Sequence, residues 1–386
     1  MSEAAHIPQL RFPEYSANWS QRLLSDFLIP TLREIEKPKV NYLAIGLRSH
    51  CKGTFQKPDS DPSKIAMEKL FRVKENDLIV NITFAWEGAI AIVKENDEGG
   101  LVSHRFPTYT FDTNITSHHF FKHQFINKRF RYLLDLISPG GAGRNRVMSK
   151  KEFVKLKVPL PSVGEQQKIA AFLTAVDNKI EQLSKKQALL GSWKKGLMQQ
   201  IFSQAIRFKA DDGSAFPVWE EKNIVELAKT SIGLVTSMTP YYVDKGVPLI
   251  RNNDIFQNKI RKEKLIRLDY EFDQLNKNRR LFTNDIVTVH TGNIGASAVI
   301  DEELNGCQGF ATLNTRIKNQ NEISSSFLCW YYNSTRNIKY ALSMATGDGR
   351  SNYNLKDFNK ATIPVPSLPE QTKIAIFLSS IDSKIE

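Results

Sequence analysis

Two loops in this chain combine glycine with arginine: Pro139-Gly140-Gly141-Ala142-Gly143-Arg144-Asn145-Arg146 and Thr346-Gly347-Asp348-Gly349-Arg350-Ser351-Asn352. Glycine lets a backbone approach a phosphate closely and arginine supplies the charge, so such loops suit anion binding. The bland alternative is a plain helix-to-strand turn. Composition favours an anionic partner, with 53 Lys and Arg against 41 Asp and Glu and a net charge of +12. Nucleic acid comes first on that count, an acidic protein second and a membrane surface third. His118, His119 and His123 include a four-residue helical spacing, but with no carboxylate or cysteine beside them we expect a surface role and no metal site. Cys51, Cys307 and Cys329 are far apart and odd in number, which suggests neither disulfides nor zinc and fits a reducing cytoplasm. Nothing reads as an Asp/Asn-Pro-Pro-aromatic methylation motif or a phosphate-binding Gly-x-x-x-x-Gly-Lys-Ser/Thr loop, so catalysis is not expected here. No apolar run approaches the ~18 residues of a membrane span.

The elements that position these loops occur twice. Pro159 to Glu181 reads PLPSVGEQQKIAAFLTAVDNKIE, and Pro364 to Glu386 reads PVPSLPEQTKIAIFLSSIDSKIE. A spacing this long is no solenoid, whose units run roughly 20–50 residues; it points to two domains of one plan, each followed by the same helix. Arg11-Phe12-Pro13 with Trp19 is echoed by Arg207-Phe208 and Phe216-Pro217-Val218-Trp219, which sets the repeat boundary. Short apolar runs broken by turn residues read as strands: 40–47, 77–82 and 88–93 in the first half, 247–250, 285–289 and 296–300 in the second. Helical periodicity covers 116–137 and 325–342. The expected class is α+β, with two mixed β-rich domains separated by long coiled-coil-like spacer helices in a tandem pseudo-two-fold repeat. The expected boundaries are 1–158 for the first domain, 159–205 for the first spacer helix, 206–363 for the second domain and 364–386 for the second helix.

Each helix follows a Pro-x-Pro segment, and Ser162 with Glu165, like Ser367 with Glu370, has capping-box spacing. An apolar seam runs through Ile169, Phe172, Val176, Ile180, Leu183, Leu190, Trp193, Leu197 and Ile201, with Gln187 as a polar position. Its expected partner is the second copy, with Ile374, Phe377 and Ile381, packed antiparallel. The second copy stops at Glu386, the equivalent of Glu181. Trp193, Leu197 and Ile201 are therefore expected to lack an internal partner and to support self-association with another chain.

On these paired signatures, together with Ala85-Trp86-Glu87-Gly88-Ala89, Thr291-Gly292-Asn293-Ile294-Gly295 and Gly246-Val247-Pro248-Leu249-Ile250-Arg251, the chain resembles the specificity subunit of type I restriction–modification enzymes. The resemblance implies two target-recognition domains, each reading one half of a split double-stranded DNA site. It implies spacer helices that dock DNA methyltransferase subunits, joined by motor-nuclease subunits in restricting complexes. It places S-adenosylmethionine, ATP and Mg on those partner subunits, with none bound by this chain. Docking and spacer residues would be Glu165, Gln166, Ile169, Phe172, Val176, Ile180, Leu183, Trp193, Leu197, Glu370, Gln371, Ile374, Phe377 and Ile381.

For DNA, the candidates are basic and polar residues in loops, since Arg suits guanine and Asn suits adenine in the major groove. In the first half these are Arg48, Lys52, Lys57, Arg105, Arg144 and Arg146. In the second they are Arg251, Asn252, Asn253, Lys259, Arg279, Arg280, Asn293 and Arg350. Any one of them taken alone could equally be a solvated surface charge, and Trp86 is expected in the core rather than as a stacking platform. Two other readings compete. A self-contained DNA-modifying enzyme would bind S-adenosylmethionine, and a coiled-coil adaptor whose globules bind proteins would show no salt-dependent affinity for duplexes.

Overall fold

A computed structural model describes residues 8–141, 146–346 and 351–385. The chain divides into two compact units, Met1–Gln182 and Leu183–Glu386.

The first unit is closed by its two ends. Strand Ser20–Leu23 pairs antiparallel with Lys157–Leu160, the Pro-x-Pro lead-in of the sequence. Between them lies a four-stranded sheet in the order Leu28–Pro30, Thr108–Phe111, Leu78–Val80, Ile90–Ile92. A five-stranded sheet follows the order Glu34–Glu36, Lys69–Arg72, Leu101–Val102, Tyr42–Leu47, Thr54–Ser60, with one parallel step where Ala44 faces Leu101. The apolar run Leu78-Ile79-Val80 is fully buried because alternate side chains serve opposite faces of the sheet. Ile79 joins Ile45, Val73, Ala91 and Val102 in one core cluster. Leu78 and Val80 join Phe120, Phe121, Phe130, Phe153 and Ala170 in the other.

The second unit repeats the plan. Glu220–Asn223 pairs with Thr362–Val365. The inner sheet runs Ala228–Ile232, Thr312–Ile317, Ile286–Val289, Ser297–Val299. The outer sheet runs Tyr242–Val243, Ile266–Leu268, Val247–Arg251, Gln308–Phe310, again with one parallel pair, Leu249 facing Gln308. A small hairpin, Ile255–Phe256 with Lys259–Ile260, follows the strand that ends at Arg251.

Each stretch expected as one helix is two. His118–Phe125 and Lys128–Leu136 are separated by Asn127, whose side chain caps the second by accepting from Arg129 N. Ser325–Tyr332 and Thr335–Met344 are separated likewise, with Ser334 accepting from Asn337 N. A mid-stretch Asn or Ser satisfies the free N–H groups of a new helix start, which apolar periodicity does not register.

The spacer helix Val163–Phe202 is continuous for 40 residues, about 60 Å at ~1.5 Å per residue. Its last turns bury Met198, Ile201 and Phe202 in the second unit's core with Trp219, Phe327 and Tyr331. The expectation that Ile201 lacks an internal partner is therefore corrected: its partner is the globule itself. The closing helix Leu368–Ile385 buries Ile374, Ala375 and Leu378 in the same core, and Ile381 is buried as well. It meets the spacer helix antiparallel, with Lys194 Nζ 2.5 Å from Asp382 Oδ1 and Gln187 Nε2 donating to the Ile385 carbonyl. No helix among the described residues is long and apolar enough to cross a membrane.

Candidate nucleic-acid interface

In the second unit the strand Val247–Arg251 delivers the chain into a tight turn, Asn252–Asp254. Arg251, half-buried at the rim of a cleft, holds that turn. Its backbone N and Nε both donate to Asp254 Oδ2 at 3.0 Å, and Asp254 is 2 % exposed. The Asp254 carboxylate raises the Arg251 pKa, so the charge is permanent and internally matched. Arg280 is committed in the same way to buried Asp273, which also accepts from Gln308 Nε2 at 2.8 Å. Arg279 Nη1 donates to the carbonyls of Ile232 and Gly233, both at 3.0 Å. These three arginines each carry hydrogen bonds within the unit that brace loops.

Asn253, Lys259 and Asn293 are exposed. A cleft of about 790 Å³ is lined by Arg251, Asn252, Asn253, Thr291, Gly292 and Ser351, among others. Thr291 Oγ1 donates to Asn352 Oδ1 at 2.6 Å, and Tyr353 N donates to the His290 carbonyl. The segment after the glycine–arginine loop is thus laced to the Thr291-Gly292-Asn293 turn, two motifs far apart in sequence. Arg350 and Arg144 lie outside the described residues.

In the first unit Lys52 sits at the tip of the hairpin joining Tyr42–Leu47 to Thr54–Ser60. His50 and Cys51 take positive φ there, +61° and +56°, a strained state that must be held from outside. His50 N donates to the Glu87 carbonyl and Cys51 N to that of Gly88, which pins the tip against the Ala85–Glu87 turn. Arg48 and Lys57 flank the Phe55 ring at 5.5 and 5.4 Å, and Arg48, Lys52 and Lys57 are all exposed. Arg105 is exposed and reaches Thr83 Oγ1 at 3.4 Å. Arg146 is a brace, paired with Asp135 at 2.5 Å and lying over the Trp86 ring at 4.9 Å. Trp86 is half-buried and donates to the Thr83 carbonyl, so it is neither core nor free platform.

Arg131 lies on the helix Lys128–Leu136, away from the loops that hold the sequence candidates. It is half-buried, its Nε is shielded and without a hydrogen-bond partner, and its side chain runs beside Gly88 and Cys51. The carboxylate one turn on, Asp135, is taken by Arg146. A guanidinium left uncompensated next to a basic hairpin tip suits an anion.

The signature Glu-Gln pairs are buried against their own globules. Glu165 is 1 % exposed and accepts from Arg11 Nε and Nη2, both at 2.6 Å, and from Trp19 Nε1 at 3.2 Å. Glu370 is fully buried and accepts from Arg207 Nε at 3.1 Å, Arg207 Nη2 at 2.6 Å and Trp219 Nε1 at 2.9 Å. Gln166 donates to the carbonyls of Ile115 and Pro161, and Gln371 to those of Glu322 and Pro366. These side chains lock each globule to the first turn of its helix. The capping box is therefore half formed: Ser162 Oγ caps Glu165 N at 3.3 Å, while the Glu165 carboxylate faces Arg11 instead of reaching back. Ile374 and Ile381 are likewise buried, and Ile169, Phe377 and Leu197 are half-buried. Phe172, Val176, Ile180, Leu183 and Trp193 are exposed along the spacer helix, although Phe172 meets the Phe12 ring edge-on at 6.0 Å.

Titratable groups show no catalytic constellation among the described residues. Burial pushes the Cys307 thiol up to about 12 and raises that of Cys329, which leaves both inert. His118 is pushed down to about 4 by burial, then by His119 and Lys122. No group of three or more His, Cys, Asp or Glu is placed to hold a metal ion among the described residues.

Two β-rich globules of one topology, each clamped to the start of a helix and presenting basic loops, define a duplicated recognition protein rather than a single active site. Residues 28–190 and 218–386 each match the type I restriction modification DNA specificity domain, and the chain belongs to that family. It is 27 % identical over 258 residues to the putative type I restriction enzyme MjaX specificity subunit of Methanocaldococcus jannaschii, covering 62 % of this chain and 55 % of that protein. It is 26 % identical over 273 residues to the EcoBI specificity subunit of Escherichia coli, covering 64 % and 57 %. The chain thus spans little more than half the length of these relatives. In fold it is similar to the type I restriction–modification S subunit from M. genitalium, with a TM-score of 0.61 at 15 % identity, covering 98 % of this chain and 92 % of that one.

Proposed function

We propose that this chain is the non-catalytic, sequence-specific DNA-binding specificity subunit of a type I restriction–modification complex. Each globule reads one half of a bipartite duplex site. The carrying observation is the double construction: two specificity domains in one chain, each fixed to its helix by the same Arg–Glu–Trp clamp. A tandem repeat keeps two-fold-like geometry while its halves diverge, which suits an asymmetric split site. The domains proposed are 1–158 and 206–363, with helices 159–205 and 364–386 between and after them.

The exposed apolar residues Val176, Ile180, Leu183 and Trp193 form the docking face for DNA methyltransferase subunits, joined by motor-nuclease subunits where restriction occurs. S-adenosylmethionine, ATP and Mg belong to those partners, and the complex works in the cytoplasm, where the DNA is. In the absence of partners the same apolar face supports self-association. Phosphate contacts supply most of the affinity and base-edge contacts the sequence reading.

The test is the salt dependence and sequence preference of duplex binding by the full chain. Affinity should fall with a log–log slope near −0.9 per phosphate contact and differ between cognate and scrambled duplexes. A flat response with no preference removes the proposal and favours a protein-binding adaptor.

A further inference from the structure

Asn252, in the second unit, carries a polar group left without a partner among the described residues. Its Oδ1 is shielded from solvent and has no hydrogen-bond partner. Among the described residues its amide nitrogen has no hydrogen-bond partner either, unlike Asn314, Asn333 and Asn337, whose side chains are all engaged. A shielded carbonyl oxygen without a donor costs free energy, and native proteins rarely leave one unless something else completes it. The residue lines the open cleft with Asn253, Thr291, Gly292 and Ser351.

The turn that carries it is rigid. Arg251 and buried Asp254 tie its two ends together through side chain and backbone, and Arg261 Nη2 donates to the Asn253 carbonyl at 2.9 Å. The hairpin beyond is fixed in turn by Asn258 Oδ1, which accepts from Asn333 Nδ2 at 3.0 Å. A fixed backbone thus carries, at the wall of a cleft, one amide whose Oδ1 is shielded in the free chain and turns outward to accept from a ligand. No charged partner is needed to account for it.

We infer that Asn252 is a specificity-determining residue that reads an adenine in the half-site of the second globule. An amide side chain can accept from the adenine N6 amino group and donate to N7 at once, a pairing no other base edge offers in the major groove. Arg251 and Asp254 act as positioning residues for that contact. This inference rests on the DNA-reading function proposed above and names the base and the residue.

The test uses the full chain and duplexes carrying its methylation site, mapped from cells that express it with its methyltransferase subunits. Each adenine of the half-site assigned to the second globule is replaced in turn by 7-deazaadenine, which lacks N7, or by purine, which lacks the amino group. For the wild-type chain one position should lose roughly 10-fold or more in affinity with either analogue. Asn252→Ala should bind normal and analogue duplexes equally at that position and keep its preference in the other half-site. Asn252→Asp, close in shape, should shift the preferred base there toward cytosine, whose amino group an acidic side chain can accept from. If Asn252→Ala fails to fold, the Asp variant alone decides. Variants that keep the wild-type analogue sensitivity overturn the inference, as does a second half-site with no adenine in either strand. A wild-type chain without any sequence preference overturns the proposed function instead.

Discussion

Arg11 and Glu165 lie 154 residues apart and meet in a bidentate ion pair, with both guanidinium–carboxylate contacts at 2.6 Å. Arg207 and Glu370 make the equivalent pair across 163 residues. In each case a tryptophan Nε1 donates to the same carboxylate. Around each pair, Lys168 binds Glu14 and Lys373 binds Asp211, while Phe172 packs on Phe12 and Phe377 on Phe208. The segment before each globule is thereby stapled to the helix after it, so the globule becomes a closed loop mounted on a helix start. Domain and helix are coupled mechanically, which a reader of split sites requires if helix length is to set half-site spacing.

Breaking the second clamp should unfold its unit early. Glu370→Ala leaves Arg207 and the Trp219 N–H without their acceptor at a fully buried position, a loss of about 3–5 kcal/mol. Calorimetry should show a lowered Tm for one of two transitions, the one that a deletion confined to residues 1–158 does not remove. A Glu370→Ala chain with an unchanged melting profile would mean the clamp is ornamental.

Stability should also depend on pH through His118. Burial, the largest cause, together with His119 and Lys122, lowers its folded pKa to about 4 from an unfolded value near 6.5. The unfolded state therefore binds more protons between those values, and folding stability falls as pH drops through that window. Above about pH 6.5 the contribution is fully present. His123 and His290 are shifted in the same direction, chiefly by burial. A melting series should show Tm declining from pH 6.5 toward 4, and less steeply in His118→Gln.

Much of this architecture was legible in the sequence because it is written twice. The repeat of Pro159–Glu181 at Pro364–Glu386 gave the helices, and glycine-punctuated apolar runs gave the inner strands around Leu78–Val80 and Ile286–Val289. What the pattern did not reveal was where side chains point. Glu165 and Glu370 look like solvent-facing helix residues, and only the return of Arg11 and Arg207 from the far end of each globule buries them. Arg251, Arg280 and Arg146 read as free charges because the carboxylates that hold them, Asp254, Asp273 and Asp135, compete with many other acidic residues in one dimension. Arg131, on the helix Lys128–Leu136, lies outside the loops from which the sequence candidates come.

Arg131→Ala should separate affinity from reading. If the guanidinium contacts a phosphate, the variant binds all duplexes more weakly and its salt slope falls by about 0.9. The order of preference among duplexes stays the same, because a backbone contact carries no sequence information. Arg131→Lys should restore most of the slope. Altered base preference in the first half-site would instead make Arg131 a reader.

Exchange of the whole first domain, residues 1–158, for another of the family should change one half-site and leave the other intact. Genome-wide mapping of methylated sites in cells carrying the exchanged chain reads both halves at once. Changed recognition in both would refute modular reading, and with it the view that each clamp isolates its own globule.

The exposed stripe on the spacer helix is the last point where structure and function must agree. Ile180 and Leu183 are exposed and contribute to neither core cluster, so placing charge there costs the fold little. Ile180→Glu with Leu183→Lys should leave Tm within about 1 °C of wild type, since surface changes away from packed features stay within ~0.5 kcal/mol. The same pair should abolish co-purification with methyltransferase subunits and any concentration-dependent self-association in sedimentation, because an apolar docking face cannot take up two charged side chains without desolvating them. Duplex binding by the isolated chain should persist, since the globules are untouched. If the variant still assembles, the methyltransferase docks elsewhere, and the apolar stripe needs another occupant.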